Sequence, residues 1–188
     1  MATPTIDNSP VDDRSERNIA TLLPEVRILA RSLVHAANSI GIVIKVISGT
    51  RTYPQQDAIF MQGRGHSLAE VNQARTKAGL DPFSAAEWPK EDRVVTKARG
   101  GHSNHNFGIA FDVGVFKGGA YLDESPLYKA AAVLGKQLGL TWGGDWASIE
   151  DEPHYELHPS WAAKLSEEDM LAELRKRHDA NTEVFAVV

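Results

Sequence analysis

Apolar residues recur along the chain with two periods, and the switches between them lay out the elements. After a polar start, Val26, Leu29, Ala30, Leu33, Ala37 and Ile40 follow the i, i+3, i+4, i+7 spacing of an amphipathic helix. Pro24 suits the first turn of that helix and Gly41 its exit. Residues 42–47 are almost wholly β-branched and predict a strand that ends at Ser48-Gly49. Thr52 and Gln55 have the spacing of a capping box, which predicts a helix through about Gln62, closed by Gly63. Arg51 therefore falls at a strand-to-helix corner, a place from which side chains often face a cleft.

Residues 64–93 are less regular. A short helix fits Leu68 to Ala78, and Asp81-Pro82 and Trp88-Pro89 interrupt any regular element after it, so the stretch reads as an insertion of the lid or binding-loop kind. Val94-Val95-Thr96 predicts a strand, followed by a Gly/Ser/Asn-rich loop over 99–105. A further strand over about 108–116 alternates. Ile109, Phe111, Val113 and Val115 share one side, and Gly108, Ala110, Asp112 and Gly114 share the other. The first side is suited to a core. The second, small residues around a single carboxylate, is suited to lining a site.

Ser125-Pro126 opens a helix with Leu127, Ala131, Leu134 and Leu138 inward and Gly139 at its end. Residues 142–146 read as a loop and 153–157 as a short strand, with Tyr155 and Leu157 packing inward. Ser166 caps a last helix whose first turn is acidic and whose last turn holds Arg175, Lys176, Arg177 and His178, as the helix dipole favours. The order predicts a single α+β domain over 15–188, with the insertion at about 64–93 and a flexible arm at 1–14.

Composition narrows the chemistry. With 188 residues, 42% hydrophobic and 24% charged, the chain suits one ordinary packed domain. A net charge of −5 without a basic stripe argues against nucleic acid as a partner. Cysteine is absent, so disulfides and thiolate metal sites are excluded and a metal must rest on histidine and carboxylate. No apolar run approaches the roughly 18 residues of a membrane span. The first 17 residues lack the basic-then-apolar order of a secretion signal. The expectation is a monomer made in the cytoplasm without such a signal.

His105, in the Gly/Ser/Asn-rich loop, precedes Asp112 by seven residues across a bend, so the two side chains can converge. His154, stiffened by Pro153, supplies a second imidazole. Two histidines and one carboxylate leave a position open for water, the form of a catalytic zinc site. Such chemistry needs a carboxylate to move protons and a cation to steady the oxyanion or a substrate carboxylate. Asp151, three residues before His154, competes with Glu150 and Glu152 for the first role, and Arg51 suits the second.

These residues carry a family resemblance. Ser103-Asn104-His105-Asn106-Phe107-Gly108-Ile109-Ala110-Phe111-Asp112 resembles the Ser-x-His-x-x-Gly-x-Ala-x-Asp signature of the D-alanyl-D-alanine carboxypeptidase/VanY-like metallopeptidases. That family includes L-alanyl-D-glutamate endopeptidases and phage endolysins. Asp151-Glu152-Pro153-His154 is similar to its second block, where the carboxylate three residues before the histidine is the base. Ser48-Gly49-Thr50-Arg51 with Gln56 is similar to its first block, whose arginine faces the substrate, and Trp142-Gly143-Gly144-Asp145-Trp146 matches the stretch before the second.

The resemblance implies a small antiparallel sheet flanked by helices, as in hedgehog proteins. It implies one Zn2+ on His105, Asp112 and His154, catalysis by Asp151 and Arg51, and a peptidoglycan stem peptide as substrate. The expected reaction is L-alanyl-D-glutamate endopeptidase, with D-alanyl-D-alanine carboxypeptidase as the alternative. No counterpart of the family's usual trailing wall-binding domain is expected, and access to the wall is expected after holin-type lysis or by another export route. Gln56, Ser103 and Trp146 are candidate substrate contacts. Ser103 is equally suited to shaping its loop, and Trp142 and Trp146 to packing in a core. His102 fits a supporting or exposed position, and His35, His66, His158 and His178 fit structural or surface ones. Two rivals stand. A non-haem Fe(II) oxygenase uses the same ligand types, though with closer spacing on a jelly-roll barrel. A metal-holding module without catalysis would not need Asp151 and Arg51.

Overall fold

A computed structural model describes residues 3–147 and 150–187. The first helix, α1 (Asp13–Ile19), is capped by Asp12, whose carboxylate accepts from Ser15 N–H. It is followed by α2 (Pro24–Ser39), with proline in its first turn, and by strand β1 (Val43–Ser48). α1 closes the outer edge of β1. Val46 N–H donates to Ser15 Oγ at 2.9 Å, and Asn18 Nδ2 donates to Val46 O at 2.9 Å. An open strand edge is thereby satisfied by side chains rather than left to pair with another chain.

The segment before α1 departs from the expected loose arm. Asp7 N–H donates to Ser32 Oγ at 2.9 Å and Arg31 Nη1 donates to Asn8 Oδ1 at 2.8 Å, while Val11 packs against the core. Polar groups on α2 hold it, a contact that local composition does not reveal.

α3 (Tyr53–Phe60) starts at the Thr52/Gln55 capping box. The insertion contains α4 (Leu68–Lys77), with its own Ser67/Glu70 box, and the single turn α5 (Trp88–Glu91). Its end is pinned back on the turn that follows α3. Gln62 Nε2 donates to Glu91 O at 2.8 Å, and Gly63 N–H donates to Asp92 Oδ1 at 3.1 Å. Val94-Val95-Thr96, expected as a strand, is irregular. Its polar atoms go to side chains instead: Arg64 Nη2 donates to Thr96 O at 2.7 Å, and Gln56 Nε2 donates to Thr96 Oγ1 at 3.1 Å.

The remaining elements are β2 (Ala110–Lys117), β3 (Ala120–Leu122), α6 (Leu127–Gln137), β4 (Thr141–Trp142), β5 (His154–Glu156) and α7 (Glu167–Asp179). The sheet has the order β1-β2-β5-β4, with β3 also on β2, and its pairings are antiparallel. One face carries Ile44, Val46, Phe111, Val113, Val115 and Tyr155 and packs on α2 and α6. A smaller cluster of Phe107, Ile109, Met170, Leu171 and Leu174 seats α7 on the other side. Ile109, expected beside Phe111, belongs to this second cluster, because β2 proper begins only at Ala110.

Register places the site. β2 runs through the middle, with Asp112 opposite Ser48 on one neighbour and opposite His154 on the other. The first of these pairings depends on a bulge at Ile47, since Val46 faces Val113 and Ser48 already faces Asp112. Phe111, fully buried and stacked on Tyr155 with ring centroids 5.7 Å apart, anchors this arrangement from the core side. Phe111→Ala is expected to cost about 3–5 kcal/mol, the range for removing a buried aromatic ring. Urea unfolding monitored by tryptophan fluorescence checks this; a loss under about 1 kcal/mol would mean the stack is not an anchor.

Candidate metal centre

Because β2 and β5 pair at Asp112 and His154, and side chains alternate along a strand, Asp112, His154 and Glu156 project from one face. His105 arrives from the 3₁₀ turn Asn104–Phe107 just before β2. Gly108 ends that turn in the left-handed region at φ 73°, which glycine adopts without Cβ strain, and the reversal folds His105 back over Asp112.

Three atoms converge. His105 Nε2 lies 3.2 Å from Asp112 Oδ1 and 3.2 Å from His154 Nδ1, and His154 Nδ1 lies 3.3 Å from Asp112 Oδ1. Zinc bonds of about 2.0–2.1 Å at the tetrahedral angle hold their donors about 3.3 Å apart, so the triangle has the dimensions of one face of such a site. The remaining polar atom of each group is tied elsewhere. His105 Nδ1 is 2.8 Å from Gly49 O, His154 Nε2 is 2.9 Å from Glu156 Oε2, and Asp112 Oδ2 accepts from Arg51 Nη2 at 2.5 Å. Both imidazoles thus hold one N–H outward and turn the other nitrogen inward.

The electrostatics are those of buried, paired groups. Burial raises the Asp112 pKa, but His105 and Arg51 outweigh it and hold the carboxyl well below the usual range. Burial, with Arg51 nearby, lowers His105. Asp151 is pushed up to about 6 by burial and by the charge of Asp112.

The three atoms lie in a cleft of about 760 Å³. Ile47, Arg51 and the irregular stretch 95–98 line it on one side, and Trp146, Ala147, Asp151 and Pro153 also face it. Of the three competing carboxylates, Asp151 lines the cleft, whereas Glu150 and Glu152 reach outward toward Lys129. Trp146 stands with its ring 4.7 Å from that of His154, while Trp142 is buried and donates from Nε1 to Glu152 O at 2.7 Å. Ser103 and His102 sit at the rim. The loop holding Asp151 and His154 closes on Gly143, whose carbonyl accepts from Asp151 N–H at 3.1 Å.

Two candidate residues are placed differently from expectation. Gln56 is fully buried and does not line the cleft. It braces Arg51, whose Nη1 lies 3.4 Å from its Oε1, and holds Ala98 O at 2.9 Å. Arg51 does line the cleft, yet its guanidinium is committed to Asp112 and to Ser48 Oγ, 2.9 Å from Nη2, so it orients a carboxylate of the chain itself.

Sequence reasoning passed over Glu156, Asn104, Glu167 and the Gly49 carbonyl. Glu156 had a signal, two residues after His154 on a strand and so on its face. Asn104 Nδ2 donates to Glu156 Oε2 at 2.8 Å and to Glu167 Oε1 at 2.7 Å, a junction of three distant segments with no local signature.

A family model described as D-alanyl-D-alanine carboxypeptidase matches residues 96–157, the stretch that holds all three converging side chains and Asp151. The chain is 31% identical over 149 residues to the peptidoglycan L-alanyl-D-glutamate endopeptidase CwlK of Bacillus subtilis (strain 168), covering 74% of this chain and 75% of that protein. Among solved structures, the Serratia marcescens L-Ala D-Glu endopeptidase ChiX aligns with a TM-score of 0.48 at 22% identity, covering 77% of this chain and 86% of that one. A Zn(II) complex of the vancomycin-resistance D,D-pentapeptidase VanY aligns with a TM-score of 0.47 at 18% identity, covering 87% and 81% respectively.

A methyl group at Gly143 would stand 2.7 Å from Asp151 O and 2.9 Å from His154 Cβ. Gly143→Ala is therefore expected to destabilise the fold by about 1–3 kcal/mol, as overpacking does. Chemical denaturation checks this; unchanged stability would show that the loop yields freely.

Proposed function

The chain belongs to the VanY-like D-alanyl-D-alanine carboxypeptidase family of peptidoglycan-acting metallopeptidases, and we propose that within it this protein is a zinc-dependent L-alanyl-D-glutamate endopeptidase. The observation that carries the zinc reading is the triangle of His105 Nε2, Asp112 Oδ1 and His154 Nδ1, with sides of 3.2, 3.2 and 3.3 Å. Three nitrogen and oxygen donors with a fourth direction open to the cleft fit a catalytic zinc site. A bound zinc ion supplies Lewis acidity, polarising a carbonyl and lowering the pKa of a water to about 7.

The chain's own residues supply the rest. Asp151, at the cleft wall, takes the proton of the attacking water and returns it to the departing amine of D-glutamate. Its half-enclosed setting suits a carboxylate that must both accept and release a proton. Arg51 pins Asp112 through Oδ2, so that a single oxygen, Oδ1, faces the histidines, and it adds positive charge to the wall where the oxyanion develops. Trp146 flanks the reacting centre on the Asp151 side, and Ser103 is available at the rim to orient the peptide.

Two observations favour internal cleavage over removal of terminal D-alanine. The CwlK relative is named for the L-alanyl-D-glutamate bond. Residues 64–93, the insertion expected as a lid or binding loop, do not line the cleft and so do not close it.

Digestion of purified peptidoglycan by the zinc-loaded protein, followed by mass spectrometry, is expected to yield products with a new D-glutamate N-terminus. Release of D-alanine alone would make the enzyme a carboxypeptidase, and no cleavage with zinc bound would favour a non-catalytic module. Chelation is expected to abolish the reaction and zinc to restore it; full turnover by metal-stripped protein would remove the metal from the mechanism. Asp151→Asn is expected to keep one zinc per chain and to lose about 10²- to 10⁴-fold in kcat, the usual contribution of a general base. Near-normal turnover in that variant would transfer the role to another group.

A further inference from the structure

We infer that Glu156 is a positioning residue for the metal centre. It accepts the Nε2–H of His154 and so keeps the Nδ1 lone pair of that ring directed at the other two ligands. The inference rests on the zinc reading above and concerns residues that this reading leaves without a role.

A histidine ring binds a metal through one nitrogen, and the partner of the other nitrogen decides which one that is. His105 uses a backbone carbonyl, Gly49 O, for this purpose. His154 uses a side chain. Glu156 lies two residues further along β5 and therefore on the same face, with Oε2 at 2.9 Å from His154 Nε2. A carboxylate in that place does more than a carbonyl, because its charge also raises the basicity of the ligating ring.

Glu156 is itself held on both oxygens. Asn104 Nδ2 donates to Oε2 at 2.8 Å, and His158 Nε2 lies 2.6 Å from Oε1. The residue borders the cleft yet is only 1% exposed, so both oxygens are turned to protein partners. Asn104 also donates to Glu167 at the start of α7, and it immediately precedes His105. The bracket therefore joins the turn that presents His105, the strand that presents His154, and the first turn of α7. A buried carboxylate with only a packing role would need one partner to offset its charge; this one has three polar partners, His154, Asn104 and His158, and one of them is a candidate metal ligand.

The test measures zinc affinity by competition with a chromophoric chelator for the full-length protein, Glu156→Gln, Glu156→Ala and the ligand control His105→Ala. Glutamine has nearly the shape of glutamate, and its oxygen can still accept from His154, but it lacks the charge that raises the basicity of that ring. Alanine removes the bracket altogether. Both variants are expected to bind zinc more weakly, Glu156→Ala by roughly 10- to 100-fold, the range for loss of such partners. The zinc-induced rise in Tm should shrink in parallel, a readout that simple loss of packing would not move. Should Glu156→Ala fail to fold, Glu156→Gln decides.

Zinc binding by Glu156→Gln as tight as in the unmodified protein, with His105→Ala clearly weakened, would overturn the inference and leave the metal centre standing. Failure of the unmodified protein to bind zinc would instead remove the metal reading itself. Glu156, His158 and Glu167 also bring ligand atoms close enough to share a cation. Two zinc ions per chain, falling to one in Glu156→Gln, would make Glu156 a ligand and overturn its positioning role.

Discussion

The pairing of Asp112 with a neighbour on each side is the constraint on which the rest of the site depends. In β2 this residue lies opposite Ser48 of β1 and His154 of β5, so backbone hydrogen bonds on both edges determine where its carboxylate points. A slip of one residue in either pairing would turn the matching side chain to the other face, since the strand period is two. The bulge at Ile47 shows how specific the arrangement is. Without the extra residue, Ser48 would not stand opposite Asp112, and Arg51, three residues on, would approach from a different direction.

The sheet separates two kinds of stabilisation. Its α2/α6 face buries apolar side chains, and this face accounts for most of the hydrophobic driving force. The opposite face buries ionisable groups, an arrangement that costs desolvation unless each is paired. Here the pairing is dense: Asp112 with Arg51 and both histidines, Glu156 with His154, His158 and Asn104. α7 packs beside this face through Met170, Leu171 and Leu174, with Leu171 forming part of the cleft wall. Such a network is rigid because moving one member leaves another buried and unpaired.

The insertion contributes indirectly. Tied through Gln62 and Gly63 to the turn that follows α3, it delivers the chain to the stretch 95–98, which forms a cleft wall. Gln56 links that wall to Arg51, so the wall and the carboxylate that Arg51 orients share one brace. The cleft therefore owes its shape to side-chain bonds between α3 and an irregular segment, in a place where the β-branched run Val94-Val95 had suggested a strand.

What the sequence determined by itself is local. The helix periods, the capping box at Thr52, the cap at Ser166, the alternation along β2 and the seven-residue step from His105 to Asp112 each depend on neighbours a few residues away. Those neighbours set which way His105 and Asp112 face, whereas His154 and Asp151, some forty residues further on, were joined to them by the ligand chemistry and the family resemblance. The tertiary structure decided which groups meet across the chain. Arg51 turns to Asp112, 61 residues on, while still lining the cleft, and Gln56 is buried under residues 96–98. The N-terminal arm is held by α2, and Glu156 gains Asn104, 52 residues earlier, as a partner. Spacing sets orientation, but the partner of a buried charge is chosen by packing, and no short stretch of sequence contains that information.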